Sequence, residues 1–291
     1  MGMTCQIFPA TTSYCGGNSV NGVFKFHLNK STTFNSIKVI LKGNARTTYD
    51  YTVDDDHATG HDEQSLVYQQ IEYWKNGCLK AGDYENSFNF RLPKALPSSF
   101  TSKSCTIMYK ITVLFEKPGL FADKKFKFVI PVFGAVVPCT NQPLNTLLTK
   151  MPFSFTSDSK ISVQIEVEKT LVLPGESIRL TLNVDNKSNV AISSIEAKLI
   201  EITKLYNKSQ STKRKSSKKT IDRSVVKCPS VLSLHTVRYS CSVPTFRELY
   251  SIQNCNIFVR KYTLYISAKL PFPHRNASIE IPVVIGVPKR N

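Results

Sequence analysis

Apolar and polar side chains alternate with a period of two through most of this sequence, and that pattern limits the fold more than any other feature. Ile161, Val163, Ile165 and Val167 fall on one side of an extended chain, and Ser162, Gln164, Glu166 and Glu168 on the other. Ile178, Leu180, Leu182 and Val184 alternate in the same way with Ser177, Arg179, Thr181 and Asn183. Earlier in the chain, Ile107, Tyr109, Ile111, Val113 and Phe115 share a phase, as do Phe88, Phe90 and Leu92. Successive side chains point to opposite faces in a strand, so these runs are half-buried strands. Further strands are expected at Val20–Leu28, Ser36–Lys42, Lys124–Val137, Ser194–Ile202, Asn256–Leu270 and Ser278–Val287. No long segment carries the 3.6-residue period of an amphipathic helix. A helix of about two turns is expected only near Gln142–Lys150.

Turn chemistry separates the runs. Leu173-Pro174-Gly175-Glu176 precedes one strand and Asp185-Asn186-Lys187-Ser188 follows it. Proline presets its own φ, and glycine and asparagine tolerate positive φ. Short antiparallel strands with such turns argue for sheets packed face to face. The segment Pro138–Pro152 holds three prolines and no alternation, and strand patterns resume after it. The expected organisation is therefore all-β: two tandem antiparallel β-sandwiches of immunoglobulin-like type, over residues 1–140 and 154–291, joined by a short linker at 141–153.

Charge narrows the partners. Lys plus Arg number 38 and Asp plus Glu 21, a formal charge of +17. Such a chain attracts anionic surfaces, phosphorylated peptides or acidic proteins. No apolar stretch approaches the roughly 18 residues of a spanning helix. Residues Met1 to Gly17 lack a basic cluster followed by an apolar core, so no signal peptide is expected. The eight cysteines contain no CxxC pair and are read as reduced thiols of a cytoplasmic protein. No GxSxG, phosphate-binding glycine loop or HExxH is present, and the five histidines stand in no catalytic motif. No enzymatic activity, cofactor or metal ion is expected.

Several blocks, in order, resemble the arrestin fold and specifically the α-arrestin (arrestin-domain-containing) family. In the first half these are Val20-Asn21-Gly22-Val23, Ser36–Gly43, and Ala81–Phe100 followed by Ile107-Met108-Tyr109. In the second half they are Leu173–Ile178, Val184–Ser188 and the closing Ile281–Gly286. Asn254-Cys255-Asn256-Ile257 is similar to the thioredoxin-interacting branch. The resemblance implies two arrestin-type sandwiches and an adaptor that binds cytoplasmic tails of membrane proteins in trafficking or endocytosis. Many members carry Pro-Pro-x-Tyr motifs that dock WW domains of ubiquitin ligases. None occurs here before Asn291, so a ligase is expected to join only through another subunit. No counterpart of the charged polar core of visual and β-arrestins stands out.

Lys208, Lys213, Arg214, Lys215, Lys218 and Lys219 form a low-complexity basic run, read as an exposed loop. It is the candidate site for anionic lipids, inositol phosphates or phosphorylated tails, and it also resembles a nuclear import patch. Ser211, Thr212, Ser216 and Ser217 are possible phosphorylation sites that would weaken anion binding. Cys255 is the candidate reactive thiol, if a nearby cation stabilises its thiolate. The acidic segment Asp54–Glu63 does not fit an EF-hand and is read as a solvated loop. The expected protein is a cytoplasmic adaptor peripheral to the plasma membrane or endosomes, without specific nucleic-acid binding. Two other readings stand beside it: an extracellular tandem-sandwich adhesion protein, and a nuclear regulator.

Overall fold

The computed structural model describes residues 3–53, 56–119, 122–137, 143–152, 159–207 and 213–288, with side chains from 57 and from 215 in the segments that begin at 56 and 213 and up to 50 in the first. Among these residues every regular element is a strand. The chain forms two compact units. The first comprises residues 1–135, 205–215 and 253–258; the second comprises 136–204, 216–252 and 259–291.

In the first unit, Met3–Pro9, Ser19–Leu28 and Gly82–Arg91 form an antiparallel three-stranded sheet with Ser19–Leu28 central. The other sheet is built on Cys105–Glu116, which pairs with Thr32–Val53 on one side and with Lys124–Ile130 and Phe100–Thr101 on the other. Thr32–Val53 also pairs with Asp56–Leu79 in a long hairpin. The in-facing aromatics interlock. Phe26 meets Phe115 edge-on at 5.0 Å, and Phe24 meets Tyr73 at 5.2 Å. Each such ring buries about 2–3 kcal/mol worth of apolar surface. Gly43 lies opposite Tyr109, beside a register shift, and a Cβ there would collide with the Tyr109 ring and Val67. The Tyr109 hydroxyl donates to the Pro97 carbonyl at 2.7 Å, which satisfies a buried polar group.

In the second unit, Leu144–Lys150, Ile161–Val167, Ile178–Asn186 and His235–Val243 form one antiparallel sheet in that order. The opposing sheet runs Leu171–Val172, Ala277–Ile285, Phe258–Lys269, Ser194–Tyr206, Lys213–Cys228. The core between them is aliphatic: Val163, Ile165, Leu182, Val184, Leu199, Leu264 and Ile266 are buried.

Three sequence expectations are corrected. Gln142 lies outside the described residues, and Leu144–Lys150 is not a helix but a strand paired to Ile161–Val167. The inter-domain segment Pro138–Pro152 thus holds an edge strand flanked by Pro143 and Pro152, so the prolines bound it rather than break it. The basic run is not a loop from Lys213 onward but the start of the strand Lys213–Cys228. The acidic segment, read as a loop, is a hairpin arm from Asp56, while Asp54 and Asp55 lie outside the described residues.

Candidate functional site

Lys213–Cys228 is the last strand of its sheet, next to Ser194–Tyr206. Its C-terminal half fixes it in place. Ile221 and Val226 pack against the core, Cys228 is part of it, and the buried Ser224 donates to the Pro244 carbonyl at 2.6 Å. The N-terminal half extends the same ladder outward with no apolar side chain to bury. Lys215, Ser216, Ser217, Lys218 and Lys219 are exposed. Lys208 lies outside the described residues, as do the side chains of Lys213 and Arg214. Lys218 Nζ is 3.1 Å from Glu280 Oε1. Further along, Arg223 Nη2 is 2.5 Å from Glu248 Oε1, and its guanidinium sits 4.0 Å from the centre of the Phe246 ring. Among the described residues no strand pairs with its outer side, so the strand presents a row of backbone donors and acceptors beside cations. Lysines on an edge repel a second copy of the same edge, and they attract an extended segment rich in carboxylates or phosphates.

A concavity lies on the outer face of the four-stranded sheet. It has a volume of about 830 Å³ and is lined by Glu166, Glu168, Arg179, Thr181, Ser240 and Ser242 among others. Arg179 is 3.6 Å from Glu168, so its charge is offset locally. This surface lacks the cationic excess of the edge strand.

The structure places Cys255 differently from the sequence expectation. The residue is buried in the first unit, where its thiol donates to Gln64 Oε1 at 3.6 Å; Asn256 N donates to the same oxygen at 2.7 Å. Burial pushes the thiol up, and the backbone amides of Ile257 and Phe258 offset this only in part. A reactive cysteine needs exposure and a stabilised thiolate; this site offers a packing residue instead. Burial also pushes Cys5 and Cys241 up to about 12. The seven described cysteines are free thiols. His57, His61, Asp62 and Glu63 are strung along one hairpin arm opposite Thr52, Thr48, Thr47 and Arg46. Among the described residues no three or more metal-ligating groups gather.

Sequence reasoning missed a buried ion pair in the second unit. Arg260 Nη2 lies 2.5 Å from Glu201 Oε2, with side chains only 9% and 17% exposed. Arg260 Nη1 also donates to the Glu248 carbonyl at 3.2 Å, and the Tyr262 hydroxyl donates to Glu201 Oε2 at 3.2 Å. The guanidinium stands 5.4 Å from the Tyr250 and Tyr262 ring centres. The signal was in the phase: Glu201 continues the inward series Ile195, Ala197, Leu199, and Arg260 falls between the buried Phe258 and Tyr262.

Comparison with known proteins agrees with this architecture. Residues 8–136 match the profile of the arrestin (or S-antigen) N-terminal domain, and residues 157–290 match that of the arrestin (or S-antigen) C-terminal domain. The molecule is thus two arrestin domains in tandem. The chain belongs to the arrestin-domain-containing, or α-arrestin, family. It is 21% identical to arrestin domain-containing protein 5 of Homo sapiens over 298 residues, covering 96% of this chain and 86% of the relative. It is 23% identical to the Bos taurus protein of the same name, covering 65% of this chain and 60% of the relative. Against arrestin domain-containing protein 1 of Mus musculus the identity is 24%, covering 65% of this chain and 44% of the relative. The matches thus span less than two thirds of the latter two relatives.

Proposed function

We propose that this chain is a non-enzymatic adaptor that binds acidic or phosphorylated cytoplasmic segments of membrane proteins along its cationic edge strand. The supporting observation is that the basic run is a sheet edge: Lys218 and Lys219 flank backbone groups to which no described strand is paired. An extended tail adds to such an edge by main-chain hydrogen bonds, and the lysines select for negative charge. The adaptor acts at the cytoplasmic face of the plasma membrane or endosomes, in transport or endocytosis, and reaches a ubiquitin ligase through another subunit. Family membership supports this reading.

The experiment is fluorescence anisotropy with a phosphorylated, Glu-rich peptide and its uncharged Gln/Ser counterpart. The charged peptide binds more tightly, and its affinity falls with salt as exposed charges are screened. Lys218→Gln/Lys219→Gln weakens it by about fivefold to tenfold, as expected for two exposed charge contacts. Equal binding of the two peptides, or an unchanged affinity in the double variant, defeats the assignment.

A further inference from the structure

Each sheet of the second unit ends in a strand that carries a cysteine. His235–Val243 is the last strand of the four-stranded sheet and Lys213–Cys228 the last of the opposing one. Period two sets which way the cysteines face. Cys241 shares the partly buried phase of Val237, Tyr239 and Val243, and the polar residues between them are exposed. Cys228 closes its strand as a member of the core, and Cys241 packs against that core.

Facing sheets usually stand about 10 Å apart, whereas the Cα atoms of a cystine lie about 4–7 Å apart. Here the two edges converge. Ser224 Oγ donates to the Pro244 carbonyl at 2.6 Å, and a serine reaches little beyond its own backbone. The Tyr239 hydroxyl donates to the carbonyls of Pro229 and Ser230 at 3.4 and 3.3 Å. Residue 224 thus meets 244, and 229 and 230 meet 239, so the strands run past each other in opposite directions. Cys228 and Cys241 fall between these two crossings, and a hydrogen bond joins their thiols. Cys255 differs, because its thiol meets the amide oxygen of Gln64 and lies buried. Cys241 is only partly buried and also lines the concavity on the outer face of its sheet.

We infer that Cys228 and Cys241 form a reversible disulfide that braces the converging edges of the second domain when the surrounding thiol pool is oxidised. The oxidant is a low-molecular-weight disulfide. The more accessible Cys241 sulfur attacks one sulfur of that molecule; its S–S bond breaks and one small thiolate leaves. Cys228 then attacks the Cys241 sulfur and releases the second thiolate. Each protein thiol gives its proton to a departing thiolate, so two protein thiols are oxidised and one small disulfide becomes two small thiols. Burial raises both cysteines, which keeps thiolate scarce and the exchange slow, on the order of minutes to hours. The pair therefore follows a sustained redox poise and ignores a brief pulse. Lys218 and Lys219 take no part, so this inference stands or falls apart from the peptide site.

The test incubates the full chain in oxidised or reduced glutathione, quenches with acid, and alkylates free thiols in denaturant. Trypsin then releases residues 228–238 and 239–247, each with a single cysteine, because cleavage follows Lys227, Arg238 and Arg247. Under non-reducing mass spectrometry the oxidised sample yields these two peptides joined, and dithiothreitol separates them. Exposed Cys15 and Cys78 carry glutathione in the same sample and show that the oxidant acted. Urea unfolding followed by far-ultraviolet dichroism reads the brace. Closing a loop of about fifteen residues raises the folding equilibrium of the second domain about a hundredfold, and Cys241→Ser abolishes the rise. Both main readouts use the wild type, so neither depends on a variant that folds. Recovery of both peptides unlinked while Cys15 and Cys78 are modified overturns the inference. So does a Cys241 that stops as a glutathione adduct, since Cys228 would then be out of reach. A linked form no more resistant to urea than the reduced one, or a rise that persists in Cys241→Ser, overturns it as well.

Discussion

The two arrestin domains fill their cores with different chemistry. The first interlocks aromatic rings, with Phe24, Phe26, Phe34, Phe88, Phe90, Phe115 and Tyr109 all buried. The second relies on Ile, Val and Leu and also buries the Arg260–Glu201 pair. Aromatic packing is held by shape and changes little with pH or salt. A buried ion pair is different: desolvation offsets much of its attraction, and each partner becomes costly once the other is gone. The first domain is therefore fragile to lost volume and the second to a single lost charge.

The largest expected effect tests this contrast directly. Arg260→Ala or Glu201→Ala should destabilise the second domain by about 3–5 kcal/mol, because each leaves an uncompensated buried charge. Replacing the pair together by Met and Leu should restore most of that loss. The chain has one tryptophan, Trp74, and it belongs to the first domain. Urea unfolding followed by Trp74 emission then reports the first domain, while far-ultraviolet dichroism reports both. Arg260→Ala should shift the dichroism transition and leave the fluorescence transition in place; Phe115→Ala, at about 3–5 kcal/mol, should move the fluorescence transition. If Arg260→Ala shifts both equally, the domains unfold as one and the contrast dissolves.

A smaller effect separates the domains by acid. In the first, hydrogen bonds from Lys38 and Ser36 hold the Glu116 carboxyl below the ordinary carboxylate range. In the second, the Leu173 amide, donating at 2.9 Å, does the same for Glu176 in the Leu173–Glu176 turn. Both groups have a lower pKa folded than unfolded. Their stabilisation is present above the ordinary carboxylate range and is lost as pH falls through the folded value. Lys38→Met should therefore move the acid midpoint seen by Trp74 upward in pH. Glu176→Gln should flatten the dichroism titration and leave Trp74 unaffected. Identical acid profiles for wild type and Lys38→Met would show that Glu116 gains nothing from its partners.

What was legible in the sequence follows the same physics. Ile161–Val167 and Ile178–Val184 could be read because one face of each is buried, and burial writes a period of two into the residues. The basic strand could not, because Lys215–Lys219 buries neither face; Ile221, Val226 and Cys228 anchor the strand, and the ladder carries it outward. Leu144–Lys150 was hidden because its inward positions alternate Leu144, Thr146, Leu148 and Lys150, too weak an apolar signal beside two prolines. Of the candidate sites, the basic residues were visible as composition, but their placement on an edge was not. The contact between Cys228 and Cys241 could not be recognised, because the two sulfurs meet across opposing sheets and their spacing leaves no pattern in the chain.

The smallest expected effect concerns that edge. Lys218 and Glu280 form an exposed pair, with side chains 59% and 47% accessible. Water screens such a pair, and ordering two long side chains consumes most of the remaining attraction. Lys218→Gln/Lys219→Gln should therefore change stability by no more than about 0.5 kcal/mol while weakening the charged peptide severalfold. This is the reverse of Arg260→Ala, in which charge is removed from the interior and stability collapses. Differential scanning calorimetry alongside the anisotropy assay checks it. A large loss of stability in the lysine variant would mean that the edge cations are structural, and the difference between buried and exposed charge in this domain would no longer separate folding from recognition.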